Sequence, residues 1–257
     1  MSSSPNVARV QVEGVSKWFR VDGRVVQALD KVTLGAGDGE FVSIVGPSGS
    51  GKTTLFNIIC GLMQPDEGSI SLNGQVSKER RGLVAYMPQK DVLLPWRSVL
   101  SNVLLGAEVA GQSLAEARRE AIALLPAFGL EGFADRYPHE LSGGMRQRAA
   151  LLRTYLFHRD ILLLDEPFGA LDALTRRRLQ LWLMSVWESL RKTILFITHD
   201  VDEAVFLSDR VYALTARPGR VCCELVVDLP RPRRAGTLSA PQFTSLRNDL
   251  LKALDVA

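Results

Sequence analysis

The sequence predicts an α/β fold: an N-terminal antiparallel β-layer, a mainly parallel sheet and an inserted α-helical subdomain. Short apolar runs are typical of buried parallel strands, and they occupy residues 41–45, 83–87, 161–164 and 193–198. Between Arg9 and Gly39, alternating valines and a hairpin signal at Asp22-Gly23 indicate antiparallel strands. From Ser98 to Ala134, apolar residues recur three and four apart, which indicates helices where the strand-helix alternation stops.

Composition is that of an ordinary globular protein. The chain has 257 residues, 46% of them hydrophobic and 23% charged, which is enough for one large core. A net charge of +3 from 31 basic and 28 acidic residues is too balanced to predict nucleic-acid binding. Cys60, Cys222 and Cys223 form no metal-ligating pair, and we expect buried thiols in a reducing compartment. The polar N-terminus, residues 1–9, and the lack of a long apolar run predict neither a signal peptide nor a membrane span.

A phosphate-binding loop is the strongest motif. Residues 46–54 match G-x-x-x-x-G-K-[ST] at every fixed position, with an apolar strand before them and an apolar helix face after them. The predicted contacts are Gly46, Pro47, Ser48, Gly49, Ser50, Gly51, Lys52, Thr53 and Thr54. Glycines expose N–H groups, Lys52 reaches the β- and γ-phosphates, and the Thr53 hydroxyl is placed for Mg²⁺. The alternative is a Gly/Ser-rich turn without a ligand, which the flanking elements disfavour.

Polar side chains follow three of the predicted strands. Gln89 follows residues 83–87, Asp165 and Glu166 follow 161–164, and His199 follows 193–198. Open α/β sheets bind ligands at the carboxyl ends of their strands, so these residues belong near the phosphate loop. Asp165 suits Mg²⁺ coordination, Glu166 suits orienting or deprotonating a water, and His199 suits a bond to the γ-phosphate or that water. The alternatives are solvated acids at a strand end and a structural histidine.

A second anion site is suggested by Ser142-Gly143-Gly144. Ser142 is a plausible N-cap for a helix over about residues 146–158, and the glycines expose N–H groups. This segment has no lysine, so it cannot hold a nucleotide alone, and the alternative is a plain turn before a helix.

The remaining expectations concern packing more than chemistry. Trp18 or Phe19 could stack on a purine base, although either one alone is better explained by packing in the β-layer. Residues 69–72 alternate like an exposed strand. We expect Arg176–Arg178 to form a solvated helix face, Arg231–Arg234 a linker-like turn, and residues 243–254 a terminal amphipathic helix.

Taken in order, these motifs resemble the ATP-binding cassette subunit of ABC transporters over about residues 10–227. The resemblance implies a P-loop (RecA-like) core at 8–92 and 159–228, a helical subdomain with the signature motif at 93–158, and a short C-terminal extension at 229–257. It implies ATP and Mg²⁺ as ligands. The implied catalytic residues are Glu166, His199, Gln89 and Lys52. Thr53, Gln89 and Asp165 are implied at the metal, and Phe19, with Trp18 as alternative, at the base.

The resemblance also gives the second anion site a role. In the family two cassettes pair head to tail, so Ser142, Gly143 and Gly144 of one chain would clamp the γ-phosphate held by the phosphate loop of the other. Asp172 would contact the dimer partner, and the Gln89 region would pass the motion to a membrane permease. Met145 stands where the family usually has Gln. We expect activity to survive, because the backbone donors and Ser142 remain.

Within the family, Leu93-Leu94-Pro95-Trp96 and residues 141–148 look like importers of the nitrate, sulfonate and taurine group. This implies a peripheral subunit on the cytoplasmic side of the inner membrane, with a permease, indirectly a substrate-binding protein, and no nucleic acid as partners. The alternative is a soluble ABC ATPase acting on nucleic acid or ribosomes. That class usually carries a coiled-coil insertion, zinc-binding cysteines or two cassettes, which this sequence lacks. A cassette that binds ATP without turnover is disfavoured by Lys52, Asp165, Glu166 and His199.

Overall fold

Two sheets and eight α-helices make up the part of the chain that the computed structural model describes, which is residues 8–169, 171–190 and 192–255. The strands are β1 (Val10–Val21), β2 (Arg24–Ala36), β3 (Phe41–Val45), β4 (Glu67–Leu72), β5 (Gln75–Val76), β6 (Ala85–Met87), β7 (Ile161–Asp165), β8 (Thr193–Thr198), β9 (Arg210–Leu214) and β10 (Val221–Val226). The helices are α1 (Lys52–Ile59), α2 (Val99–Val103), α3 (Leu105–Val109), α4 (Leu114–Leu124), α5 (Gly143–Tyr155), α6 (Ala173–Leu190), α7 (Val201–Leu207) and α8 (Pro241–Asp255).

The predicted α/β class is confirmed by the sheet topology. β1, β2, β4 and β5 form an antiparallel sheet in the order β2-β1-β4-β5, and the other strands form a sheet in the order β10-β9-β3-β8-β7-β6. In this second sheet only β10 runs antiparallel to its neighbour. The hairpin predicted at Asp22-Gly23 joins β1 to β2, and the strand predicted at 83–87 is shorter, as β6.

The parallel sheet is buried on both faces, which explains its near-continuous apolar strands. Every residue of β3 is buried. Phe41 and Val45 pack among the helices α2 and α5–α8 on one face, while Val42 and Ile44 pack against α1 and the antiparallel layer on the other. This sandwich fixes β3, and therefore the phosphate loop that follows it, in the centre of the molecule.

Several local expectations were wrong. The strand predicted as exposed, now β4, buries Ile70 and Leu72 in the antiparallel layer. The helix predicted from residue 146 begins at Gly143, because Ser142 caps it. Cys222 is exposed, not buried, because β10 is an edge strand whose residues alternate. The expected solvated face fails at Arg177, whose guanidinium lies 4.0 Å from the centre of the Phe206 ring.

The turn at 231–234 is an anchor and not a linker. Arg233 is 4% exposed and donates to the carbonyls of Phe206 (3.0 Å) and Ser208 (2.6 Å) at the end of α7. Beside it, Arg231 pairs with Asp209 at 2.7 Å. Burial lowers the pKa of Arg233 to about 10, so the side chain stays charged at neutral pH. The polypeptide after β10 is therefore tied to the helix that follows β8.

No helix of the described residues combines the length and the apolar character needed to cross a bilayer. Residues 1–7 of the polar N-terminus lie outside the described residues.

Arg233→Met should lower the free energy of unfolding by about 3 kcal/mol, because it leaves several buried carbonyls without a donor. Arg234→Met, at an exposed neighbour, is the control and should change it by less than about 0.5 kcal/mol. Urea titration followed by circular dichroism measures both. Equal free energies of unfolding for the two variants would show that the carbonyl contacts of Arg233 do not stabilise the fold.

Candidate nucleotide-binding site

The phosphate loop joins the buried end of β3 to the first turn of α1. Gly51, immediately before the helix, has φ of +90°, and a Cβ there would lie 2.6 Å from Leu29 Cδ2. A Cβ on Gly46 would lie 2.7 Å from the carbonyl of Leu214. Only glycine fits these positions. The loop is therefore a backbone cradle at a helix N-terminus, a structure suited to phosphate.

Lys52 is folded into this cradle. Its Nζ donates to the carbonyls of Gly46 (2.8 Å) and Pro47 (2.9 Å) and to the Ser50 hydroxyl (3.2 Å). Burial lowers the pKa of Lys52, and the charges of Glu166 and Asp165 oppose that shift. The cation is thus held inside the loop by neutral oxygens, which a phosphate can replace as a stronger acceptor.

A cavity of about 410 Å³ opens beside the loop. Its wall has an apolar end, with Phe19, Val21, Val26 and Ala28, and a polar end, with Ser48, Gly49, Ser50, Gly51, Lys52, Thr53, Thr54, Gln89, Glu166 and Arg217. A flat apolar group and a charged tail can both be accommodated. This division matches the two ends of a nucleotide.

The two aromatic candidates for the base are separated by strand geometry. Phe19 lines the apolar end of the cavity and pairs with Val26 of β2, which lines it too. Trp18 pairs with Gln27, and its backbone N–H donates to Asp66 at 2.7 Å. Successive side chains of a strand point to opposite faces, so the register favours Phe19.

Two strand-end residues, Gln89 and Glu166, line the polar end of the cavity, and a third, His199, lies beside Glu166. Gln89 donates from Nε2 to Glu166 Oε2 at 3.0 Å, and His199 Nδ1 lies 3.6 Å from the same oxygen. Glu166 has φ of +45°, a left-handed conformation that costs a non-glycine residue about 1 kcal/mol or more. Its N–H bonds the carbonyl of Ile197 at 3.0 Å. Neighbouring strands thus hold the carboxylate at the cavity despite this strain.

Asp165 lies one residue earlier and is 1% exposed. It accepts hydrogen bonds from the Tyr86 hydroxyl, at 3.3 Å, and from the hydroxyl of Thr53. Burial raises the pKa of Asp165, and these two hydrogen bonds and Lys52 oppose the rise. A hydroxyl and a carboxylate in contact, with the Gln89 amide on the same cavity, are oxygen donors of the kind that Mg²⁺ takes. The donor set therefore fits that ion.

The Ser142-Gly143-Gly144 segment does not line the cavity. Ser142 is exposed and caps α5, with Oγ accepting from the N–H of Met145 at 3.3 Å. Gly144 packs against Thr175 at the start of α6, where a Cβ would come within 3.1 Å. Asp172 is also exposed and caps the same end of α6 through the N–H groups of Leu174 and Thr175. One chain thus brings together the phosphate loop, Gln89, Asp165, Glu166 and His199, and leaves the second anion site elsewhere.

Two residues at the site were not predicted from the sequence. Tyr86 lies in the middle of β6 and holds Asp165, and Arg217 follows β9 and reaches the cavity from the loop beyond it. Neither belongs to a motif with a fixed spacing. The sequence feature that could have indicated Tyr86 is a polar hydroxyl within an apolar strand, and no such feature indicates Arg217.

Comparisons with known proteins agree with this geometry. The family model for ABC transporters matches residues 29–169. The chain is 44% identical to a taurine import ATP-binding protein of Rhizobium johnstonii, covering 94% of each protein. It is 37% identical to an aliphatic sulfonates import ATP-binding protein of Bacillus cereus, covering 96% of each. An uncharacterised ABC transporter ATP-binding protein of Methanocaldococcus jannaschii is 44% identical, over 96% of this chain and 94% of that one.

Solved structures give the same result. A dimeric bacterial ABC transporter cassette is similar with a TM-score of 0.76 and 32% identity, covering 86% of this chain and all of the other. A post-hydrolysis cassette bound to ADP and phosphate follows with a TM-score of 0.75. The chain belongs to the ABC transporter family, and it is an ATP-binding cassette that hydrolyses ATP.

Proposed function

We propose that this chain is the energy-coupling ATPase of an importer for small solutes of the nitrate, sulfonate and taurine type. The ATPase part of this proposal is carried by Glu166, which lines the phosphate-loop cavity with Gln89 and is contacted by both Gln89 and His199. Relatives that align over nearly the whole chain are taurine and aliphatic sulfonates import ATP-binding proteins, which supports the importer part.

The bond-breaking step requires a water placed in line with the γ-phosphate. Glu166 orients this water and takes its proton, because its carboxylate lies at the polar end of the cavity. Gln89 and His199 both contact the same oxygen of this carboxylate, and in the loaded site they bond the water and the γ-phosphate. Lys52 stabilises the charge on the phosphates.

Thr53, Asp165 and Gln89 are the residues that would hold Mg²⁺. When bound, the ion would supply charge neutralisation on the phosphates. In this chain the Thr53 hydroxyl already lies against the Asp165 carboxylate, and Tyr86 fixes that carboxylate.

The site in one chain is half of the working unit. Ser142, Gly143 and Gly144 form a capped helix N-terminus that does not line the phosphate-loop cavity of their own chain, and Asp172 is exposed. Two chains paired head to tail would place this terminus over the phosphate loop of the partner. ATP would then join the chains, and hydrolysis would release them. The dimeric cassette among the structural relatives supports pairing.

A second cleft, of about 380 Å³, is the surface that we assign to the permease. It separates the end of α1 from α3 and α5, and its rim carries exposed apolar side chains, Leu62 at 58% and Val109 at 77%. Arg153, in its wall, donates to the carbonyls of Asp91 (2.7 Å) and Val92 (2.8 Å). The segment after Gln89 is thereby tied to the cleft, so a helix seated there would move with the nucleotide site.

The remaining parts of the system follow from this placement. The cassette would be peripheral, on the cytoplasmic side of the inner membrane. The permease would carry the solute, and a substrate-binding protein would deliver it from outside. No contact with nucleic acid enters this scheme.

Glu166→Gln should keep ATP affinity within about twofold, lower hydrolysis at least about 100-fold, and trap a dimer with ATP and Mg²⁺, because the amide cannot take the proton of the water. Phosphate release and size-exclusion chromatography measure the two effects. Turnover at the wild-type rate would contradict the assignment of Glu166.

Leu62→Glu should abolish co-purification of the cassette with a multi-span membrane protein from detergent extracts, because it places a charge in the apolar cleft. Val76→Glu changes an equally exposed apolar residue on the edge strand β5, and the complex should survive it. Thermal unfolding confirms that both variants fold. If the wild-type chain instead co-purifies with nucleic acid and no membrane protein, the importer assignment is wrong.

A further inference from the structure

The loop between β9 and β10, residues 215–220, is fixed to the nucleotide site by backbone contacts. The N–H of Gly219 donates to the carbonyl of Ala28 at 2.9 Å, and the carbonyl of Gly219 accepts from Asp30 at 3.0 Å. Inside the loop, the Thr215 hydroxyl donates to the carbonyl of Pro218 at 2.8 Å and accepts from the N–H of Arg220 at 3.0 Å. The loop therefore lies alongside β2, paired with it at Leu29 and Gly219.

Gly219 brings this loop against the phosphate loop itself. A Cβ on Gly219 would lie 2.0 Å from the carbonyl of Ser50, so the two backbones touch and no other residue fits there. Arg220 on the outer side of the loop is already paired, with its Nε 2.7 Å from Asp30 Oδ2.

Arg217 occupies the opposite position, on the cavity side. It lines the cavity that Phe19 and Lys52 line, and its Nη2 lies 3.7 Å from the point where a Gly49 Cβ would stand. The side chain is exposed. Within the described ranges its guanidinium makes no hydrogen bond or ion pair, whereas Lys52 has three acceptors.

We propose that Arg217 is a nucleotide-binding residue that pairs with the phosphate tail of ATP and ADP. An unpaired guanidinium beside the phosphate loop is the group best suited to phosphate, because its planar fork can form two parallel hydrogen bonds. Lys52 supplies a single charge to a tail with several negative charges. Arg217 supplies the second from outside the loop, and no motif predicts it. The proposal rests on the nucleotide site described above and deepens its function.

The phosphate tail is preferred over the base because of where Arg217 lies. Its Nη2 is the atom nearest to an ideal Cβ on Gly49, which belongs to the phosphate loop, whereas Phe19 and the apolar wall lie on β1 and β2. A cation at the phosphate end acts on affinity for the charged tail, so it affects ATP and ADP alike and leaves the uncharged nucleoside untouched.

Isothermal titration of ATP, ADP and adenosine tests this with three variants. Arg217→Gln should weaken ATP and ADP binding about tenfold, the loss of one charge-assisted contact, and change adenosine affinity less than about twofold. Its ATP affinity should also fall less steeply with added salt than that of the wild type. Arg217→Lys keeps the charge but loses the planar fork, so its ATP and ADP affinities should lie between those of Arg217→Gln and the wild type. Arg118→Gln removes the same charge from the exposed face of α4 and should bind like the wild type.

Unchanged ADP affinity in Arg217→Gln would overturn the proposal. So would an equal loss of adenosine affinity, which would place Arg217 on the base. Arg217→Gln could instead keep normal nucleotide affinity and, in a Glu166→Gln background, lose the ATP-dependent dimer. Arg217 would then contact the second chain, and the proposal would be wrong. Failure of the wild-type chain to bind ATP would count against the ATPase assignment, which keeps the two claims separate.

Discussion

The parallel register of four buried strands determines where every reactive group lies. Val45 at the end of β3 pairs with Thr198 of β8, Asp165 of β7 pairs with Ile197, and Met87 of β6 pairs with Leu164. The phosphate loop, His199, Glu166 and Gln89 follow these ends and therefore reach one edge of the sheet. Because both faces of the sheet are packed, a register shift of one residue would turn the side chains of the strand to the opposite face and disrupt the packing on both. The energy that holds the core thus also positions the chemistry.

Much of the fold and of the site could be predicted, because the signals are local. Apolar runs of strand length predicted β3, β7 and β8, and a two-residue turn signal predicted the β1–β2 hairpin. The contacts of the phosphate loop follow from glycine spacing, since only glycine tolerates the crowding at Gly46 and Gly51. Parallel strands then placed Glu166 beside Gln89 and His199, as the structure shows.

What the sequence could not predict depends on partners that are distant along the chain. The sequence around Arg233 is typical of a polar linker, and only the structure shows that its side chain contacts the carbonyls at the end of α7. The exposure of Cys222 depends on β10 being an edge strand. The choice of Phe19 over Trp18 depends on strand register, and the place of Arg217 depends on the contact between Gly219 and Ser50. Pattern alone contains none of these long-range contacts.

We propose that each chain holds half of a nucleotide site and that the partner's Ser142 segment completes it. Two chains in a Glu166→Gln background test it most directly, one with Lys52→Ala and one with Ser142→Arg. When either chain pairs with itself, both sites of the pair carry a substitution. Mixed, they form a pair with one intact site, from the phosphate loop of one and Ser142 of the other. We predict an ATP-dependent dimer only in the mixture, measured by light scattering. A mixture that stays monomeric with ATP, while the Glu166→Gln chain dimerises, would contradict the account.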